Sequence, residues 1–177
     1  MTYTQHYDSP LGGILLAADE EGLTGLWFDG QKYFARTLPK EYAESETPVL
    51  CEAKRWLDIY FSGREPDFTP PLHPEGSAFQ QVVWALLLEI PYGETTTYGT
   101  LARKLAEKQG LTHMSAQAVG GAVGHNDISL IIPCHRVVGA SGSLTGYAGG
   151  VDKKIKLLEL ERADMKSFFV PKKGTAL

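Results

Sequence analysis

The first thirty residues alternate short apolar runs with glycine-containing turns. Turns at 11–13 and 21–22 divide residues 3–30 into a first segment before residue 11, a second over 14–16 and a third over 23–28. Short apolar runs bounded by turn residues are typical of β-strands. The pattern therefore predicts a small antiparallel sheet at the start of the chain.

A different spacing follows, in which apolar residues recur every three or four positions. They are Val49, Leu50, Ala53, Trp56, Leu57, Tyr60 and Phe61. This period places them on one face of an α-helix, and Ser62-Gly63 is predicted to end it. Residues 1–61 are thus expected to form a sheet with one helix packed on it, and no motif within them indicates a reaction.

Residues 63–76 contain four prolines and two glycines. Proline fixes φ and removes a backbone donor, so this composition predicts a semi-extended linker. The charge balance changes at the same place: residues 1–78 carry six Lys and Arg against thirteen Asp and Glu, and residues 79–177 carry eleven against eight. We predict a first domain over 1–76, a second over 77–165 and a tail over 166–177. A polyanion would meet the more basic second domain, although chance variation of surface charge explains the asymmetry equally well.

Three helices are predicted after the linker. Ser77 begins the first as its N-cap, and Gln80 three residues later completes a capping-box pattern. The second helix lies within 95–110, and the third extends from 115 to about 124. Two short helices joined by a glycine-containing turn resemble a helix-turn-helix.

The third helix has an unusual composition, with three glycines and a single polar side chain, Gln117, over 116–124. Each internal glycine destabilises a helix by roughly 1 kcal/mol relative to alanine. A close approach of the helix backbone to another surface would explain why glycine is nevertheless used here. The approaching surface is either another element of the protein or something large and flat, such as a DNA groove. Because few side chains here could read base edges, DNA binding would depend on shape and phosphate contacts.

Composition narrows the class of protein. The 177 residues are 43% hydrophobic and 21% charged, which is ordinary for a globular chain. No apolar run approaches the ~20 residues of a membrane span, and the N-terminus does not resemble a signal peptide. Two cysteines, Cys51 and Cys134, are too few for a disulfide framework or a four-cysteine zinc site. We therefore expect a cytoplasmic chain without membrane association, in which Cys51 is structural.

The strongest candidate for chemistry is Cys134, which follows Pro133 and precedes His135 and Arg136. A free thiol has a pKa near ~8.5, and a nucleophilic cysteine needs a helix N-terminus, an imidazole or a cation to lower that pKa. Neighbours in sequence often point apart, so the residues alone leave two interpretations open. Cys134 is either a reactive thiol or a buried structural cysteine.

Five segments occur between residues 77 and 162 in a characteristic order. They are Pro91-Tyr92-Gly93-Glu94 with Thr97-Tyr98, Ala118-Val119-Gly120-Gly121-Ala122 with Asn126, Ile132-Pro133-Cys134-His135-Arg136-Val137-Val138, Gly146-Tyr147-Ala148-Gly149-Gly150, and Leu157-Leu158-Glu159-Leu160-Glu161. Together they resemble the O6-alkylguanine-DNA alkyltransferases, also called methylated-DNA–protein-cysteine methyltransferases. The resemblance implies an α/β (α+β) chain with a ribonuclease H-like first domain and a winged-helix-like second domain.

The resemblance also implies a reaction, the direct repair of DNA. The damaged guanine is rotated out of the duplex into a pocket, and Cys134 takes its O6-alkyl group irreversibly, once per molecule. His135 would take the thiol proton through a water, and Glu161 would orient the imidazole. No cofactor and no metal are implied. The resemblance leaves open whether O4-alkylthymine is also a substrate and whether methyl or bulkier groups are preferred.

Further roles are implied residue by residue. Tyr98 would crowd the phosphate 3′ to the lesion, and Asn126 would tie the recognition helix to the cysteine loop. The predicted pocket residues are Pro133, Tyr147, Ala148 and Gly149. The predicted DNA contacts, made in the minor groove, are Tyr98, Ala116, Gln117, Ala118, Gly120 and Gly121. Alternatively, Tyr98 is a core tyrosine, Asn126 a helix C-cap and Glu161 a solvated helix residue.

The chain departs from the family pattern at two positions. Gln117 stands where the family commonly has an arginine, which predicts a change in lesion search or DNA affinity rather than in the chemistry. Asp127 stands where a proline usually follows Asn126, and it is expected to add negative charge near DNA. No cysteine precedes Cys51, which predicts that the structural zinc of some relatives is absent. A fused phosphotriester-repair domain would need four cysteine ligands, so the stand-alone form is expected, and we expect it to be a monomer.

Two functions of other classes remain as alternatives. A Cys-His-Glu hydrolase would use the same three residues but turn over, and a non-catalytic DNA-binding module would not need Cys134. At the end of the chain, Phe168 and Phe169 are predicted to dock on a domain, and 172–174 to fray.

Overall fold

The computed structural model describes residues 1–171, which divide into two compact units. The first comprises Met1–Gly76 and Asp127–Ile131, and the second comprises Ser77–Asn126 and the described chain from Ile132 onward. Asp127–Ile131 is therefore not part of the second unit, in contrast to the predicted domain over 77–165. Its backbone pairs with Leu26, whose N–H donates to Asp127 O at 2.8 Å and whose carbonyl accepts from Ser129 N at 3.0 Å.

The first unit is a mixed sheet with one long helix. Its elements are β1 (Thr2–Ser9), β2 (Gly12–Ala18), β3 (Leu23–Phe28), β4 (Tyr42–Glu44) and α1 (Pro48–Phe61). The strands lie in the order β3-β2-β1-β4, in which β1, β2 and β3 pair antiparallel as predicted. The pairing of β4 with β1 is parallel and was not predicted. β4 is only three residues long, too short for alternation to identify it.

The central strand β2 is buried along most of its length because both of its faces are covered. Leu15 and Ala17 pack with Trp27, and Ala35 and Leu38 pack against that cluster. The helix α1 packs against the same sheet. Thr47 caps α1, and Ser62 ends it as predicted. Burial on both faces explains why β2 reads as a continuous apolar run rather than an alternating one.

The proline-rich segment 63–76 is bound to the first unit over its second half. Leu23 N donates to Pro71 O and His73 N donates to Leu23 O, both at 2.8 Å. Gly22 permits this approach, since a Cβ there would lie 2.8 Å from the Pro71 oxygen. The segment is extended, as its composition indicates, but it follows β3 as a further backbone partner.

The second unit is built from helices and one short parallel pair of strands. Its elements are α2 (Ala78–Leu87), β5 (Thr96–Thr97), α3 (Tyr98–Lys108), α4 (Ala116–Gly124), β6 (Val137–Val138) and α5 (Val151–Leu160), with 3₁₀ turns at Cys134–Arg136 and Ala140–Gly142. The capping box of Ser77 and Gln80 is present, and Ser115 caps α4 as predicted. Trp84 Nε1 donates to Ala122 O at 2.9 Å and joins α2 to α4.

The pairing of β5 with β6 places the start of α3 beside the segment that contains Cys134. Thr96 pairs with Val137 and Thr97 with Val138, in parallel register. Two-residue strands carry no periodic signal, so this pairing was not predicted. This pairing therefore determines which side chains of the second unit lie near Cys134.

The end of the described chain packs on the second unit. Phe168 packs against the cluster of Val138, Leu144 and Leu158, as predicted. Phe169 is joined to residues 142–144 by backbone hydrogen bonds, while the residue is 49% exposed. The predicted fraying of 172–174 lies outside the described residues. Within 1–171, no helix has the length and apolar character needed to cross a membrane.

Candidate active site

Cys134 begins a buried 3₁₀ turn, and its side chain is 6% exposed. It is preceded by the irregular segment 127–133. The Ile132 carbonyl accepts from Cys134 N and from Asn126 Nδ2, each at 2.8 Å. Asn126 thus connects the chain just after α4 to the turn that contains Cys134. It is not the C-cap of α4, a position that His125 occupies.

His135 and Arg136 converge on a single carboxylate. Glu161, at the C-cap of α5, accepts from His135 Nε2 at 2.5 Å and from Arg136 Nε at 2.8 Å. Its Oε1 also accepts from Gly93 N at 3.1 Å. Both His135 and Glu161 are buried. Glu161 is therefore an internal counter-charge and not a solvated helix residue.

The ionisation states follow from burial and from these contacts. Although burial favours the protonated acid, the hydrogen bonds and charges of His135 and Arg136 hold the pKa of Glu161 well below its usual range. Burial lowers the pKa of His135, against the opposing effect of Glu161. Burial raises the pKa of the Cys134 thiol, opposed by a hydrogen bond from Asn126 and by the charge of Lys154. The resting site therefore holds a neutral thiol, a neutral imidazole and a carboxylate.

This protonation pattern assigns the imidazole tautomer. An ionised carboxylate can only accept hydrogen bonds, so the proton of the neutral imidazole is on Nε2, facing Glu161. The other ring nitrogen, Nδ1, then carries the lone pair. A base held in one tautomer by a buried carboxylate is the arrangement that activates nucleophiles in many enzymes.

Tyr98 and the loop after β6 complete the surroundings of the turn. Tyr98 is buried at the start of α3, and burial together with the charge of Cys134 raises the pKa of its hydroxyl. The Tyr147 ring stands edge-on to His135, with 6.5 Å between ring centroids. Pro133 is buried, and Ala148 and Gly149 are half-buried. The second unit therefore brings the predicted catalytic and pocket residues into one region.

The exposed face of helix α4 consists mostly of small residues. Ala116, Gln117, Ala118 and Gly121 are exposed, and a Cβ at Gly121 would meet no atom within 4 Å. Packing within the protein therefore does not require a glycine at position 121. Gly120 differs, since it lies on the buried face of α4. Its contact with DNA stays a prediction, and its burial gives that contact no support.

Comparison with known sequences identifies the family. Residues 2–74 match the 6-O-methylguanine DNA methyltransferase ribonuclease-like domain, and residues 78–163 match the DNA binding domain of the same family. The chain belongs to the 6-O-methylguanine DNA methyltransferase family. The predicted family and the two-part α/β fold are confirmed.

Individual members of this family cover most of the chain. A methylated-DNA–protein-cysteine methyltransferase of Methanosarcina acetivorans is 46% identical over 160 residues, which are 90% of this chain and 97% of the relative. The Haemophilus influenzae protein of the same name is 42% identical over 161 residues, 90% of this chain and 86% of the relative. The crystal structure of Mycobacterium tuberculosis OGT in complex with DNA is similar with a TM-score of 0.78 and 41% identity, covering 90% of this chain and 92% of that one.

Two further expectations from the sequence do not hold in the structure. Asp127 is buried within the first unit, where it accepts from Trp27 Nε1 at 3.3 Å and from Arg36 Nη2 at 2.5 Å. It therefore adds no charge at a DNA-facing surface. Cys51 is exposed on α1, in contrast to the expectation that it is a structural cysteine.

Sequence reasoning missed two charged residues of the candidate site. Arg136 was noted only as a neighbour of Cys134, yet its buried guanidinium pairs with Glu161 and donates to Ile90 O at 2.7 Å. Lys154 was not considered at all, and its side chain is fully buried. A signal for Lys154 did exist: it shares a helical face with Leu157, Leu158 and Glu161, at spacings of three, four and seven residues.

Proposed function

We propose that the protein repairs double-stranded DNA by transferring the alkyl group of O6-alkylguanine to its own Cys134. The observation that carries this proposal is the hydrogen bond between the ionised Glu161 and His135 Nε2. It leaves Nδ1 as the basic atom of a residue adjacent to a buried thiol. The names of the relatives, methylated-DNA–protein-cysteine methyltransferases, describe the same acceptor chemistry.

The reaction begins with proton transfer from the Cys134 thiol to His135, directly or through one water. The sulfur electron pair then forms a bond to the alkyl carbon while the bond from that carbon to guanine O6 breaks. The electrons of the broken bond remain on guanine, which takes up the proton held by His135. The net change is that the thiol hydrogen and the alkyl group exchange places, and no cofactor enters the balance.

Glu161 contributes by stabilising the positive imidazolium while the thiolate exists. Asn126 contributes by holding the carbonyl of Ile132, two residues before the nucleophile. The raised pKa of Tyr98 keeps its hydroxyl protonated at neutral pH, and we assign it the crowding of the phosphate next to the lesion. Pro133, Tyr147, Ala148 and Gly149 would surround the rotated base.

The substrate base must leave the duplex because a thiol that is 6% exposed cannot reach O6 inside the base stack. The exposed small residues of α4 would let its backbone approach the minor groove closely, with Tyr98 beside it. Gln117 would occupy the space left by the rotated base, without the charge of an arginine. A thioether offers no easy route back to a thiol, so each molecule acts once. The catalytic groups all come from one chain, and we infer that it acts as a monomer.

A repair assay with matched cysteine variants tests the proposal. A duplex with one O6-methylguanine is incubated with native, Cys134→Ala or Cys51→Ala protein, and the remaining O6-methylguanine is measured by chromatography of the nucleosides. We expect complete repair by the native and Cys51→Ala proteins and none by Cys134→Ala, which should still bind the duplex. Repair by Cys134→Ala, or repair of many duplexes per native molecule, would contradict transfer to Cys134.

A further inference from the structure

Lys154 is a fully buried lysine, 0% exposed, in the first turn of α5. Its Nζ donates to Val137 O at 2.6 Å and to Thr145 O at 2.9 Å. Burying an ammonium costs several kcal/mol, so a lysine at a core position of a helix is an unfavourable choice unless its charge is used. The mechanism above makes no use of it.

The two carbonyl partners connect Lys154 to both parts of the candidate site. Val137 is the residue directly after the Cys134–Arg136 turn, and it pairs with Thr96, two residues before Tyr98. Thr145 begins the segment that continues to Tyr147 and Gly150, the residue that precedes α5. One ammonium group therefore fastens the cysteine turn and the predicted pocket loop to the same helix.

The charge of Lys154 also differs in kind from the other charges near the cysteine. The titratable and charged groups around the turn are Tyr98 from α3, His135 and Arg136 from the turn itself, and Glu161 and Lys154 from α5. Arg136 is neutralised by Glu161. Among residues 1–171, none of the ion pairs includes Lys154, whose hydrogen bonds go to backbone carbonyl groups.

We propose that Lys154 is a positioning residue of the transfer site, which holds the cysteine turn against the 145–150 loop and whose positive charge compensates the Cys134 thiolate. This inference rests on the proposed function, since the thiolate is the nucleophile of that reaction. The directions of the pKa shifts agree with it: the charge of Lys154 opposes the effect of burial on Cys134, and Cys134 in turn opposes the effect of burial on Lys154. Burial lowers the pKa of Lys154 to about 8, so the ammonium form predominates at neutral pH.

The first test measures the reactivity of the Cys134 thiol without DNA. Iodoacetamide modification of the Cys134 peptide is followed by mass spectrometry from pH 6 to 11, in a Cys51→Ser background. Lys154→Met removes the charge and both hydrogen bonds, Lys154→Gln removes the charge but keeps a donor, and Lys154→Arg keeps the charge. Lys156→Met, at an exposed position of the same helix, is the matched control.

We expect iodoacetamide modification of Cys134 at pH 7, where Lys154 is still an ammonium, to slow at least tenfold in Lys154→Gln and Lys154→Met, which corresponds to a change of about one unit in the thiol pKa beside a charged lysine. Lys154→Arg and Lys156→Met should keep the native rate at this pH. Single-turnover methyl transfer at neutral pH should slow by a similar factor in the two neutral variants. Unchanged modification rates at pH 7 in both folded neutral variants would overturn the proposal, because a purely structural lysine would leave the amount of thiolate at that pH unchanged.

A second test needs no substitution of Lys154. If Lys154 favours the thiolate, the thiolate must favour the ammonium by the same free energy. Because the Cys134 thiol is still neutral where Lys154 titrates, a carboxylate at position 134 serves as the stand-in for the thiolate. Titration of Lys154 by NMR should show a higher midpoint in Cys134→Asp than in Cys134→Asn, and equal midpoints would overturn the proposal. Neither thiol reactivity nor the NMR titration involves DNA, so a failure of the DNA-repair function would be recognised separately, by native protein that does not demethylate the duplex.

Discussion

Replacing Glu161 with glutamine removes the charge at the centre of the candidate site while preserving its shape. Three donors lose an ionised acceptor: His135 Nε2, Arg136 Nε and Gly93 N. The guanidinium of Arg136 stays buried without its counter-charge. Breaking a buried ion pair by removing one partner costs about 3–5 kcal/mol, and we expect Glu161→Gln to lower the free energy of unfolding by that amount near neutral pH.

The pH dependence of this loss has a defined sign. The pKa of Glu161 is lower in the folded protein than in the unfolded chain, so its contribution to stability is complete above the ordinary glutamate pKa of about 4.3. It is lost as pH falls below that value towards the folded pKa. The difference between native and variant should thus be constant from pH 5 to 8 and shrink at lower pH.

Urea denaturation followed by circular dichroism, with linear extrapolation, measures this difference. Glu159→Gln is the matched control, because Glu159 is exposed on the same helix two residues earlier. Its substitution should change stability by less than about 0.5 kcal/mol. A loss in Glu161→Gln no larger than in Glu159→Gln, or one that persists unchanged at pH 3, would refute the assignment of Glu161 as a buried counter-charge.

Three further predictions follow from particular contacts. Because burial lowers the pKa of His135, the single-turnover transfer rate should not fall as pH is lowered to 6.5, and a half-maximal rate at or above that pH would contradict a buried neutral base. Asp127→Ala should lower the free energy of unfolding by about 1–3 kcal/mol, since it leaves the Trp27 indole N–H and the partly exposed Arg36 without their acceptor. If the free energy of DNA binding changed by more than the free energy of unfolding, Asp127 would instead contribute to the DNA-binding surface. Gln117→Arg should tighten DNA binding and steepen the dependence of log Kd on log salt by roughly one, as fluorescence anisotropy would show, whereas an unchanged slope would separate position 117 from the phosphates.

The sequence predicted those elements whose signals are local. Ser77 and Gln80 form the capping box that the spacing indicated, and the period of apolar residues identified α1. The pairing of β5 with β6 joins residues about forty positions apart through two-residue strands. No periodicity exists over such a length, so only the folded backbone reveals it.

The difference between local and long-range signals also explains which residues of the candidate site could be predicted. Cys134, His135 and Glu161 were named because their residue types and order resemble a known family. Asp127 was misplaced because its partner Arg36 lies 91 positions earlier in the chain, and a carboxylate without a visible partner is expected on the surface. Lys154 was missed for the same reason, since its partners are backbone carbonyl groups, which no side-chain pattern encodes.

The most direct test of the account is the mass of the protein after it meets its substrate. The native chain is incubated with an excess of a duplex that contains one O6-methylguanine, and intact mass and peptide mapping follow. We expect one added methyl group per molecule, located on the Cys134 peptide, with no further increase at longer times or higher substrate excess. A methyl group on any other residue, or an unmodified protein in the presence of repaired DNA, would contradict stoichiometric transfer to Cys134.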